Sequence, residues 1–226
     1  MTDSPGGPGS DLYPDLVLAG GLVPALQQTA RRQQVDQELQ WGDDRGGDGW
    51  SASVSSNHGG IAVSVVVDRR AFSVTITVRG TTWAAGVTSD LAEVARVADA
   101  WHGGVTLREL HKEFPFMTYD RMAEAHEGGD PLAVQWELLL NDEDLAVIRP
   151  LLEAAHAHPR LRQMSPSVSH RTVLFLESNP EDRSAPMIKI LRTGDGLFQL
   201  EGTGVRESQQ AIPLEDVLVR AASALP

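Results

Sequence analysis

Apolar and polar positions alternate most clearly between Ala71 and Gly104. Phe72, Val74, Ile76 and Val78 alternate with Ser73, Thr75, Thr77 and Arg79, the period-two pattern of a strand with one buried face. Beyond Gly80 the same period places Trp83, Ala85 and Val87 together on one side of a second strand. The period then lengthens. Leu91, Val94, Ala95, Ala98 and Trp101 form one helical stripe, with Thr88 or Ser89 offering the N-cap oxygen and Gly103 and Gly104 ending it. The result is a strand, strand and helix sharing one apolar side, and the rest of the chain is read around it.

Upstream, Leu16, Leu22, Leu26 and Ala30 predict helix from Leu12 to about Gln34, split in two by Gly20, Gly21 and Pro24. Trp50 to Ser55 and Ile61 to Val67 read as strands, and Asp68, Arg69 and Arg70 turn the chain into the central strand. Downstream, Thr106 and Glu109 spell a capping box that opens a short helix, which Pro115 ends. Further helices are predicted from about Tyr119 to Glu127, from Asp130 and Pro131 through Leu140, and from Pro150 through Ala155. This middle third reads as wholly helical. From Thr172 strands return: Val173 to Leu176, then MIKILRT and LFQLEG joined by a Gly194, Asp195, Gly196 turn. A helix from Leu214 to Leu225 closes the chain.

The expected class is α+β, with two antiparallel-sheet and helix modules joined by a helical middle segment. Residues 1–11 read as a flexible Gly, Pro and Ser tail. Residues 12–104 read as the N-terminal α+β module and 105–226 as a helical segment followed by the C-terminal α+β module, with one compact domain formed by both as the alternative.

Composition narrows the partners. The chain has 226 residues, 41% of them apolar, which is enough for a real core. It carries 31 Asp and Glu against 19 Lys and Arg, a net charge of -12. Without a Lys/Arg cluster it lacks the footprint that neutralises phosphates, so nucleic acid and membrane are not expected partners and a basic surface is favoured. No cysteine is present, which removes disulfides, thiolate nucleophiles and Cys-based metal sites. The start has no basic segment followed by an apolar one, and no apolar window approaches the ~20 residues of a membrane span, so a cytoplasmic location is expected.

Candidate chemistry centres on seven histidines. His111 and His126 each follow a glutamate by two positions, and His170 lies near His156 and His158. On a helix, residues two apart point about 200° away from each other, so the Glu-x-His pairs do not chelate and no metal is expected. His126, His156 and His158 sit at helix ends, where an imidazolium complements the helix dipole. Nucleophile-elbow, dinucleotide and phosphate-loop motifs are absent, and no cofactor is expected. Asp142, Glu143 and Asp144 read as solvated caps. Trp83, Trp101 and Trp136 lie on apolar faces. Trp41 and Trp50 bracket a polar loop holding Asp43 and Asp44, and these four residues are the candidate partner-binding set, suited to a peptide-binding edge, with a simple strand-edge role for the two tryptophans as the alternative.

Four segments carry a likeness: SVTITVRGTTWAAGVTSDLAEVARVADAWHGG, TLRELHKEFPF, AEAHEGGDPLAVQWELLL and PRLRQMSPSVSHRTVLFLES. They resemble a family of uncharacterised actinobacterial proteins labelled natural-product biosynthesis proteins, over about residues 12 to 220. The resemblance implies a setting in gene clusters that make modified, often ribosomally made, peptides such as lanthipeptides. Two functions are compatible with it. One is an accessory protein that binds a modifying enzyme or precursor peptide without chemistry of its own. The other is a small peptide-modifying enzyme, such as a thioether-forming cyclase, with His111, His126 or His170 as base.

Overall fold

The structure is a computed structural model that describes residues 11–35, 39–42, 49–180, 182, 184–203 and 210–225. Residues 1–10 of the expected tail, and Asp43 and Asp44 of the expected partner-binding set, lie outside the described residues. The class is α+β, with eight α-helices and two antiparallel sheets among the described residues. The chain divides into two compact units, 1–129 and 130–226.

The first unit opens with α1 (Pro14–Ala19) and α2 (Leu22–Gln33), separated by Gly20 and Gly21 as the glycine pair predicts. A meander follows: β1 (Ser51–Ser56), β2 (Gly59–Val65), β3 (Phe72–Val78) and β4 (Thr81–Thr88). Then come α3 (Leu91–His102), α4 (Leu107–Glu113), the two-residue β5 (Thr118–Tyr119), and α5 (Arg121–Gly128). The sheet order is β1-β2-β3-β4-β5. Register explains the core: Val54, Ile61, Ile76 and Ala84 form one cross-strand row, and Ala52, Val63, Val74 and Gly86 the next. Against this face α3 buries Leu91, Val94, Ala95, Val97, Ala98 and Trp101. Its N-cap is Asp90, which accepts from the Ala92 amide; Thr88, one of the two residues expected to cap it, instead accepts from the Asp90 amide and donates to Glu93.

Tyr13 fastens the β2–β3 turn. Its side chain is fully buried, and its hydroxyl accepts from the amides of Val66 and Ala71 at 3.1 and 3.0 Å. The carbonyls of Val66, Arg69 and Ala71 lie 2.7–2.8 Å away, and the single hydroxyl proton serves one of them at a time. Arg70, over the Tyr13 ring, forks onto Asp15 at 2.7 and 2.9 Å. That guanidinium hydrogen bond holds the Asp15 carboxyl below its ordinary range.

Residues 105–129, grouped by sequence with the C-terminal part, supply Leu107, Leu110, Phe114, Met117 and Ala123 to the first core. Gly86 shows how they join it: a Cβ there would stand 2.4 Å from the Phe116 carbonyl oxygen. The chain at Phe116 crosses the sheet at backbone contact, and β5 then pairs with Ala84 and Ala85.

The second unit begins at α6 (Pro131–Asn141), N-capped by Asp130, and continues with α7 (Arg149–Ala157). Its sheet comprises β6 (Ser165–Ser169), β7 (Val173–Glu177), β8 (Met187–Arg192) and β9 (Phe198–Gly202), in that order, before α8 (Leu214–Ala224). Val168, Leu174, Ile190 and Leu200 form its central row. Strand β6 falls in a stretch where no strand is expected. Pro166 has no amide to give the ladder and sits on an edge strand, where none is needed. Gln135 holds it, donating to the Pro166 carbonyl at 2.6 Å and accepting from Ser165 at 2.8 Å. Arg160 caps α8, donating to the Ala222 and Leu225 carbonyls at 2.8 and 3.0 Å. No helix among the described residues is long and apolar enough to cross a membrane.

Candidate functional site

Strand alternation breaks at one residue. Ala84 stands opposite Ile76 and Thr82 opposite Thr77, so Trp83 has no partner position and is the extra residue of a β-bulge. A bulge rotates its residue out of the pleat, and such features cluster where a side chain must be re-aimed. Trp83 is therefore not grouped with Ala85 and Val87, as alternation predicts. Its ring lies edge-on to Trp101 of α3, centroids 6.4 Å apart at 76°, and half-buried beside His126 of α5 at 6.5 Å and 24°.

The two tryptophan rings, but not His126, line a pocket of about 550 Å³ within the first unit. Its walls are the β1–β2 turn (Ser56, Asn57, His58), the β3–β4 turn (Val78, Arg79), the two tryptophans, the chain from Gly104 to Thr106, and Glu127. Each wall is locally enforced. Arg79 and Gly80, both at positive φ (49° and 80°), make the tight turn. The Ser56 hydroxyl accepts from the His58 amide at 3.1 Å and donates to the Gly59 carbonyl at 2.9 Å. Gly104, at φ 82°, lies so close to His58 that a Cβ would stand 3.0 Å from its Nε2. The Thr106 and Glu109 capping box forms as predicted, and its hydrogen bonds from the Thr106 amide and hydroxyl lower the Glu109 pKa. Glu127 accepts from the Leu107 amide at 2.8 Å, a further orphan donor of the same helix start.

One donor sealed beneath this wall is unsatisfied. Trp101 is 2% exposed, and its indole Nε1 has no hydrogen-bond partner among the described residues. Buried polar groups without partners are few in native proteins and call for an explanation.

The three candidate histidines take separate local contacts. His111 Nδ1 donates to the Met117 carbonyl at 2.7 Å, fixing its tautomer, and its ring stands edge-on to Tyr119 at 6.0 Å. His126 stacks beside Trp83. His170, in the second unit, occupies the β6–β7 turn at φ 52° with Nδ1 2.7 Å from the Ser169 hydroxyl. The glutamates beside them are also engaged: Glu109 in the capping box and Glu124 with Arg108 at 2.7 Å. Among the described residues no group of three or more His, Cys, Asp or Glu could hold a metal ion. Trp41 is 5% exposed within the first core, and Trp50 is half-buried with its ring 6.2 Å from Tyr13, so both contribute to packing.

Sequence reasoning assigned no functional role to Asn57, His58, Arg79, Gly104 or Glu127. They come together only through the meander and the return of α5, and the one local signal was the Arg79 and Gly80 turn.

Two units of antiparallel sheet and helix, one with an aromatic pocket, define the class of protein. Residues 130–226, the span of the second unit, match the model of a family of unknown function, DUF6193. Neither a curated protein nor a solved structure matches the chain.

Proposed function

We propose that this chain is an accessory protein of natural-product biosynthesis that binds a modifying enzyme or a precursor peptide, in the cytoplasm and without chemistry of its own. The observation that carries the reading is Trp83, turned by a bulge into the pocket of the first unit while His111 and His170 are spent on local contacts. A tryptophan in a cleft is the kind of anchor that dominates peptide and protein recognition. The net charge of -12 favours a basic partner and speeds its encounter. The resemblance to actinobacterial natural-product proteins supplies the setting.

His126 beside Trp83 favours a second reading, a thioether-forming cyclase with an imidazole base. One experiment separates them. The producing strain, deleted for this gene, is complemented with wild type or with His111→Ala, His126→Ala or His170→Ala, and product and precursor-peptide binding are both measured. The accessory reading expects all three variants to bind and to restore product. A folded variant that binds but restores none makes the protein an enzyme.

A further inference from the structure

We propose that the outer face of the second unit's sheet is a self-association surface, on which a second copy of this chain docks about a two-fold axis. Strand register defines the face. Leu174, Leu176, Ile188, Ile190 and Leu200 pack in the second core with α6, α7 and α8. The alternate positions point the other way, and they are Val173, Phe175, Met187, Lys189, Leu191 and Glu201.

Two features select the occupant. The first is apolar surface that serves no core. Phe72, Phe114, Phe116 and Phe198 each pack in one of the two cores, whereas Phe175, half-buried, belongs to neither. Leu191 stands opposite Val173, and Met187 is 36% exposed; none of the three joins a core cluster. An apolar centre with a polar rim is the anatomy of a protein–protein contact. The second feature is charge. In the row of Phe175, Lys189 of β8 meets Glu201 of β9 at 2.8 Å, both partly exposed. A cation beside an anion is complementary to the same pair turned by half a rotation, so Lys189 of one copy reaches Glu201 of the other, and the reverse. Glu177, one row out and opposite Met187, makes the rim acidic. A chain of net charge -12 repels its own copy elsewhere, and association needs a face whose attraction offsets this. A basic partner, which the net charge would select, meets a like charge at Lys189. Four strands of this length cover about 300 Å² at the usual strand spacing, less than the ~800 Å² that each partner gives a standard interface, so the dimer is concentration-dependent, with a Kd of about 10–1000 μM.

The test is sedimentation velocity of the full chain from about 10 μM to 1 mM, the range that brackets this Kd. Wild type is expected to pass from monomer to dimer across it. Phe175→Lys, which puts a charge at the apolar centre, is expected to stay monomeric. Lys189→Glu and Glu201→Lys each set like charges opposite one another, and each should weaken association about tenfold or more. Mixed in equal amounts, the two should associate again, because each copy then offers the charge that the other needs. A wild-type chain that stays monomeric, variants that dimerise as wild type does, or a mixture that fails to recover association would overturn the proposal. The wild-type and mixing results decide the matter even if Phe175→Lys fails to fold.

Discussion

Trp83 and Trp101 meet edge to face at 6.4 Å because a single extra residue in β4 turns Trp83 toward α3. The contact joins the sheet to the end of its main helix at the pocket. If the bulge sets this geometry, deleting Thr82 should restore regular pairing and move Trp83 back into the pleat. The near-ultraviolet circular dichroism of the coupled indoles should fall while the far-ultraviolet spectrum persists; an unchanged near-ultraviolet signal would show that the bulge does not orient the ring.

The Tyr13 hydroxyl serves the half-buried Val66 amide and the buried Ala71 amide, so Tyr13→Phe should destabilise the chain by about 1–3 kcal/mol, the cost of leaving a buried group unsatisfied. Urea unfolding measures it. A loss within the ~0.5 kcal/mol typical of neutral surface changes would mean that water replaces the hydroxyl.

Acid should weaken the Asp15 and Arg70 pair. The Asp15 pKa is lowered in the folded state, chiefly by the Arg70 hydrogen bond, so its contribution is present above the unfolded pKa and is lost as pH falls through the folded value. A double-mutant cycle with Asp15→Asn and Arg70→Gln should show coupling at neutral pH that vanishes in acid. Coupling that persists once the carboxyl is protonated would contradict the assignment. The pair is partly exposed, so the coupling should be small.

In the second unit Gln135→Ala should cost about 1–2 kcal/mol, since the Pro166 carbonyl and Ser165 hydroxyl lose their partner. Hydrogen exchange in β6 and its neighbour β7 should quicken more than in β9. Uniform protection across the sheet would mean that packing alone holds the edge.

Where local chemistry decides, the sequence was readable. The alternation in β3, the stripe of α3 and the capping box at Thr106 all follow from neighbours within a few residues. Long-range terms decide the rest. Alternation across Thr81–Val87 assumes an unbroken ladder, and nothing local marks Trp83 as the inserted residue. Ser165–Ser169 has weak strand propensity and pairs because Gln135 on a distant helix holds it. Residues 105–129 look like the start of a helical segment, yet the close approach at Gly86 and the pairing of β5 place them in the first unit. Trp41 and Trp50 suggested a peptide-binding edge or a simple strand-edge role because they flank a polar loop; the structure places Trp41 in the first core and Trp50, half-buried, beside Tyr13.

The most direct test of the proposed role is the affinity of the full chain for a precursor peptide encoded beside its gene, the partner that the proposal requires, measured by fluorescence anisotropy for wild type and Trp83→Ala. The pocket account predicts a cooperative, folded variant whose affinity falls by at least about tenfold, as expected for an aromatic hot spot worth roughly 2 kcal/mol. A folded Trp83→Ala protein that binds the peptide as tightly as wild type would contradict it.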